Sequence, residues 1–192
     1  MISGWGYLGR EVEVKAEVEE DLGERIEKAG GKRLREVFQE DVYFRHPCRD
    51  FAERDEALRL RREGESYTLT FKGRRVGAGA KMREEIEVSL QDPEGAVSLL
   101  ERLGFEKAFV IRKRRREFLV EGVLVSLDDV EGLGRFVEME VLMKGDSPEE
   151  AERLKDRLLR VSEMLGIDKS RLTTESYLEM LVSKSSSSKH RT

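Results

Sequence analysis

Acidic residues two apart stand inside three stretches of strand-like alternation: Glu11 and Glu13, Glu85 and Glu87, Glu138 and Glu140. Successive side chains of an extended strand point to opposite faces, so each pair shares one face. Like charges placed that way repel unless something positive lies close, and a divalent cation is the usual candidate. Basic residues follow the same spacing in Arg59 and Arg61 and in Lys113 and Arg115, while Lys15, Lys72 and Arg83 stand on strands of the same kind. Carboxylates in such rows suit a hard metal ion, and Arg and Lys in such rows suit the oxygens of a polyanion, Arg through two parallel hydrogen bonds. Oxygen ligands without His or Cys favour magnesium or manganese over zinc. Of the two histidines, His46 precedes Pro47 at an expected strand end and His190 lies in the tail. For each strand taken singly, a plainer arrangement is open: the charged face is bathed in water.

Alternation and turn signals define the elements that would carry these residues. Strands are expected over Arg10 to Val18, Lys32 to Arg45, Ala57 to Arg62, Tyr67 to Gly73, Met82 to Leu90, Glu106 to Val120, Val123 to Asp128 and Arg135 to Met143. Asp21 can cap a short helix that ends at Gly30-Gly31. Asp92-Pro93 opens a helix stopped by Gly104, with Val97, Leu100 and Leu103 at core spacing. Ser147-Pro148-Glu149-Glu150 is a capping box for an amphipathic helix ending near Gly166. A short helix with Tyr177, Leu178 and Leu181 follows. Residues 1–182 read as a single domain and 183–192 as a disordered Ser-rich tail. Arg74 to Lys81 reads as a flexible basic loop; its Gly-x-Gly opens no helix and is no dinucleotide fingerprint.

Composition removes several classes. The 192 residues carry a net charge of −4, with charged residues at 40%. No basic excess is left over for a phosphate backbone, which argues against nucleic acid as a partner. Cys48 is the only cysteine, so no internal disulfide and no cysteine zinc site can form, and a reducing cytoplasm is expected. Neither a signal-peptide run nor an apolar segment of membrane-spanning length is present, so no membrane role is expected. The absence of Asn and the abundance of Glu, Lys and Arg lean towards a thermophilic source.

The chain repeats itself. An offset of 85 − 11 = 74 carries Glu11 and Glu13 onto Glu85 and Glu87, Ile26 onto Leu100 and Gly30 onto Gly104. Each unit is strand, helix, Gly, long strand. About eight mostly antiparallel strands can close a barrel with room inside for side chains or one small ligand. If the helices cover the outside, the charged faces turn inward. So many buried charges then need water, divalent metal and a polyanion.

The ordered motifs resemble the CYTH superfamily, the triphosphate tunnel metalloenzymes. The resemblance rests on Glu11-x-Glu13-x-Lys15, Arg59-Leu60-Arg61, Lys72 in Thr70-Phe71-Lys72, Arg83-x-Glu85-x-Glu87, Lys113-x-Arg115, Asp128 in Leu127-Asp128-Asp129, and Glu138-x-Glu140. It spans about Arg10 to Leu181, with the flavour of the class IV adenylate cyclase branch. The resemblance implies an α+β fold: a closed antiparallel eight-stranded β-barrel, a triphosphate tunnel, with covering helices. It implies Mg2+ or Mn2+ held among Glu11, Glu13, Glu85, Glu87, Glu138 and Glu140. It implies triphosphate contacts from Lys15, Arg59, Arg61, Lys72, Arg83, Lys113 and Arg115. Glu11, Glu13 and Lys15 join the catalytic set, with Asp128 added by position and without an assigned role. The expected activity is conversion of ATP to cyclic AMP and pyrophosphate. The alternatives are hydrolysis of thiamine triphosphate, a nucleoside triphosphate or inorganic tripolyphosphate, and a module that binds a nucleotide or polyphosphate without turnover. Apolar outer faces beyond what three helices cover make a homodimer an expectation.

Overall fold

The protein is described by a computed structural model covering residues 9–76, 81–143 and 147–189, with side chains over residues 12–75, 83–143 and 147–184. The expected strands form in order. They are β1 (Gly9–Glu17), β2 (Lys32–Arg45), β3 (Ala57–Glu63), β4 (Ser66–Val76), β5 (Lys81–Leu90), β6 (Glu106–Val120), β7 (Val123–Val130) and β8 (Gly134–Met143). All pairings are antiparallel and run β1-β5-β4-β3-β2-β6-β7-β8, with β8 back on β1. The curled sheet meets itself along β1 unevenly. On the β8 side the ladder runs from Arg10 to Glu17, but on the β5 side only Gly9 to Glu13 pair, against Lys81 to Glu85. Beyond that short seam the wall parts, and Thr173 takes the place of a strand: Lys15 N donates to Thr173 O at 3.1 Å and Thr173 N to Lys15 O at 2.7 Å. The expected closure is therefore confined to one end of β1.

The 74-residue repeat governs the register. Arg10 pairs with Glu84 (84 − 10 = 74) and Gln39 with Lys113 (113 − 39 = 74), so in both ladders a residue faces its own repeat counterpart. A local twofold relates the two halves. After α1 (Gly23–Lys28) and α2 (Pro93–Arg102), Gly30 and Gly104 take the left-handed conformation at φ +82° and +93°, reversing the chain into the long strands β2 and β6.

Apolar faces point outward. Val12, Val14 and Ala16 of β1, Val125 and Leu127 of β7, and Val137, Met139 and Val141 of β8 pack beneath Leu154, Leu158, Val161 and Leu165 on and just beyond α3 (Pro148–Met164). Ser147 Oγ accepts from Glu150 N at 3.1 Å and starts α3 as its sequence predicts. Leu60, Leu69 and Phe71 of β3 and β4 gather with Val97 and Leu100 of α2. Leu103, expected in that core, is 59% exposed because α2 ends one residue earlier and the C-cap turns it away.

Two expectations about the tail and the basic loop change. The Ser-rich stretch from Ser183, expected to be disordered, continues α4 (Tyr177–Lys189) as helix to residue 189. Once Tyr177 anchors the first turn, each added residue gains a backbone hydrogen bond without a new nucleation cost, and Lys184 Nζ also ties to Gly132 O at 2.6 Å. Residues 190–192 lie outside the described residues. Arg74, Arg75 and Val76 belong to β4 rather than to a loop, while residues 77–80 lie outside the described set. Among the described residues no helix is long and apolar enough to cross a membrane.

Candidate active site

Outward apolar faces force the alternate residues inward, where the strands enclose a cavity of about 410 Å³. Its lining gathers Glu13 and Lys15 from β1, Arg59 and Arg61 from β3, Lys72 from β4, Arg83, Glu85 and Glu87 from β5, Lys113 and Arg115 from β6, and Glu138 and Glu140 from β8. Every candidate residue whose side chain is described lines it, except Asp128; the Glu11 side chain lies outside the described residues.

The lining is a lattice of opposite charges. Lys15 Nζ lies 2.9 Å from Glu138 Oε2 and 3.3 Å from Glu13 Oε1, and it is almost wholly buried. Lys72 pairs with Glu85. Arg115 Nη2 reaches Glu138 Oε1 at 2.8 Å and Asp128 Oδ2 at 2.6 Å, while its Nε holds Asp128 Oδ1 at 2.7 Å. Burial works against charge at Lys15, Arg115, Asp128 and Glu138, yet the partners prevail. Glu138 stays well below the usual carboxylate range because Lys15 and Arg115 face it, and Lys15 rises because Glu138 and Glu13 face it. Lys113 is the exception. Burial first, and Arg115 next, push its ammonium down to about 8 against the pull of Asp128.

Asp128 does not line the cavity. Opposite Arg115 on the same inward face, it is buried beneath the lining cations and accepts from Lys113 at 3.2 Å, from Arg115 and from Tyr177 Oη at 2.8 Å. There it anchors two cations of the lining.

Several residues that reach the cavity were not singled out in the sequence. Asp41 on β2 grips Arg61 with two bonds of 2.7 Å and lies 3.9 Å from Arg59. Arg35 bridges Glu117 and Glu63 across one end of the cavity. Continued alternation would have found them, since Gln39, Asp41 and Tyr43 share a face, as do Lys113, Arg115 and Glu117. The opposite end is stopped by Tyr177, whose ring lies against Phe136 and beneath both Lys15 (4.5 Å) and Lys113 (5.0 Å). Alternation says nothing of a helix that arrives from the far end of the chain.

The donor set fits a hard divalent cation: the cavity holds carboxylates and no His or Cys, and the buried Gln39 Oε1 has no hydrogen-bond partner. Among the described residues, however, no group of three or more such ligands is already gathered about one point. Glu13, Glu85 and Glu138 are spoken for by Lys15, Lys72 and Arg115.

The architecture is thus a curled antiparallel sheet whose inner face alternates acidic and basic residues around one cavity. The CYTH domain description matches residues 9–177, and the chain belongs to the CYTH family. A protein of Methanocaldococcus jannaschii named "Putative adenylate cyclase" is 37% identical over 172 residues, which are 88% of this chain and 97% of that protein. The structure of a Pyrococcus horikoshii protein superimposes with a TM-score of 0.83 at 37% identity, covering 91% of this chain and 99% of the other. A cyclase-named Hippeastrum protein, described as having a dominant triphosphatase activity, shares the fold with a TM-score of 0.69 at 21% identity, over 92% of this chain and 96% of its own.

Proposed function

We propose that the chain is a metal-dependent enzyme acting on a triphosphate, of the class IV adenylate cyclase kind. The observation that carries this reading is the meeting of both rows of charge in one cavity. Lys15, Arg59, Arg61, Lys72, Arg83, Lys113 and Arg115 would bind the non-bridging oxygens. Glu11, Glu13, Glu85, Glu87, Glu138 and Glu140 would hold magnesium or manganese, which supplies charge neutralisation and a more acidic attacking hydroxyl when bound. In the cyclase reaction the ribose 3′-oxygen attacks the α-phosphorus and loses its proton. The bond from that phosphorus to the bridging oxygen breaks, and pyrophosphate leaves. A ring-bearing pocket of about 500 Å³ adjoins the cavity, sharing Tyr43, Ala57, Arg83, Ser176 and Leu178 and adding His46, Phe51 and Phe109. It offers the organic part of ATP or thiamine triphosphate a place to lodge.

A second reading, hydrolysis of a triphosphate by water, has its own support. The cavity proper contributes only Ala57, Leu124 and Leu178 as aliphatic lining, so bare tripolyphosphate suits it as well. Product analysis decides between them. The protein is incubated with Mg2+ or Mn2+ and, separately, ATP, thiamine triphosphate and tripolyphosphate. Cyclic AMP with pyrophosphate is the expected outcome. Orthophosphate without cyclic nucleotide makes the protein a triphosphatase, and tight binding without product leaves a sequestering module.

A further inference from the structure

The ammonium of Lys15 occupies an unusual place. It sits between the carboxylates of Glu13 on β1 and Glu138 on β8, at 3.3 Å and 2.9 Å, with the Glu175 carbonyl at 3.4 Å as a third oxygen and the Tyr177 ring on its flank. Those are the surroundings of a small hard cation: anionic and carbonyl oxygens in a buried site. Its location is fixed from both sides, because the Lys15 backbone is bonded to Thr173 and its side chain is closed in by Tyr177. Among the described residues no ready-made group of metal ligands exists, and here the two carboxylates converge on a lysine instead.

We propose that Lys15 is a tethered placeholder for the divalent cation: its ammonium holds Glu13 and Glu138 in place until a triphosphate draws it away and metal replaces it. The inference rests on the triphosphate reading above and adds to it a rule of occupancy. Lysine is suited to this exchange, because its charge is a point on a flexible stem that can turn from carboxylate to phosphate. Two consequences follow from competition for the same oxygens. Metal alone binds poorly, and triphosphate and metal strengthen each other, each by the factor that the other receives.

The test measures binding rather than turnover. Free Mn2+ is followed by electron paramagnetic resonance in titrations of the wild type, Lys15→Met and Arg61→Met, first without and then with imidotriphosphate, correcting for Mn2+ chelated by the free anion. Arg61 is the reference because its partner is Asp41 rather than either carboxylate of the site. Without the anion, K15M should bind Mn2+ at least about tenfold more tightly than wild type and R61M within about threefold of it, while imidotriphosphate raises wild-type affinity about tenfold and K15M far less. Equal gains in K15M and R61M would mean that only the loss of a positive charge mattered, and the placeholder would be refuted. Unchanged or weaker Mn2+ binding in K15M refutes it too. Should K15M fail to fold, the wild type alone decides, because Mn2+ bound as tightly without imidotriphosphate as with it overturns the proposal while leaving the triphosphate reading intact. No Mn2+ bound under any condition overturns both.

Discussion

Lys113 carries a pH dependence with two opposite signs. Its folded value of about 8 lies below the ordinary 10.5, so between these values the unfolded chain holds a proton that the folded chain has released. From this group alone, stability therefore rises with pH across that window, and the cost of its buried charge is fully present below it. Affinity for a polyanion runs the other way. Imidotriphosphate binding should weaken up to about tenfold for each pH unit above about 8, and Lys113→Arg should keep it level to about pH 10. A calorimetric titration series over that range checks it; a flat wild-type profile would show that Lys113 stays charged. Asp128 gives a test of anchoring. Replacement by Asn leaves Lys113 and Arg115 short of a counter-charge, at a cost of about 3–5 kcal/mol, and lowers the melting temperature by roughly 10 °C.

The way α4 is fastened sets the behaviour of the cavity's closed end. Besides Tyr177, the fastening is Arg75, which meets Glu179 at 2.6 Å and Asp55 at 2.7 Å and so joins β4, the loop before β3 and α4. Both carboxylates are about a third exposed, so Arg75→Met should change stability by no more than about 1 kcal/mol. It should nevertheless speed hydrogen exchange at the amides of Lys15 and Thr173, which bond across the parted wall, while the β2–β6 amides stay protected. At the other exposed helix start, Ser147→Ala should cost about 1 kcal/mol and lower melting by about 2–4 °C. These elements differ in how far they could be read in advance. The strands and the α2 and α3 caps are local matters of alternation and capping, and the sequence carries them nearly to the residue. The inward set followed from the same alternation; Asp41 obeys it too, but with Gln39 and Tyr43 two residues away it belongs to no charged pair that marks it. The stop at Tyr177, the Thr173 substitute for a strand and the bond from Tyr177 to Asp128 depend on contacts between distant parts of the chain. No periodicity reports them.

Across the molecule, charge is balanced at two levels. Among the described residues the cavity lining holds eight acidic and eight basic side chains, and the whole chain carries −4. Such a protein exerts no long-range pull on a polyanion. Association of imidotriphosphate should change by less than about twofold as salt rises from about 0.02 to 0.2 M, whereas a basic channel would lose tenfold or more. Stopped-flow measurements at several salt concentrations check this. The local twofold that places Arg10 opposite Glu84 and Gln39 opposite Lys113 has one further consequence. Its halves share a backbone plan but not their side chains: Asp41 corresponds to Arg115, Gln39 to Lys113, and Lys15 to Ser89. Tripolyphosphate is the same read from either end; ATP is not. A scaffold that is symmetric in its main chain and lopsided in its charges would give even an end-to-end symmetric guest a front and a back, and so a single orientation in the cavity.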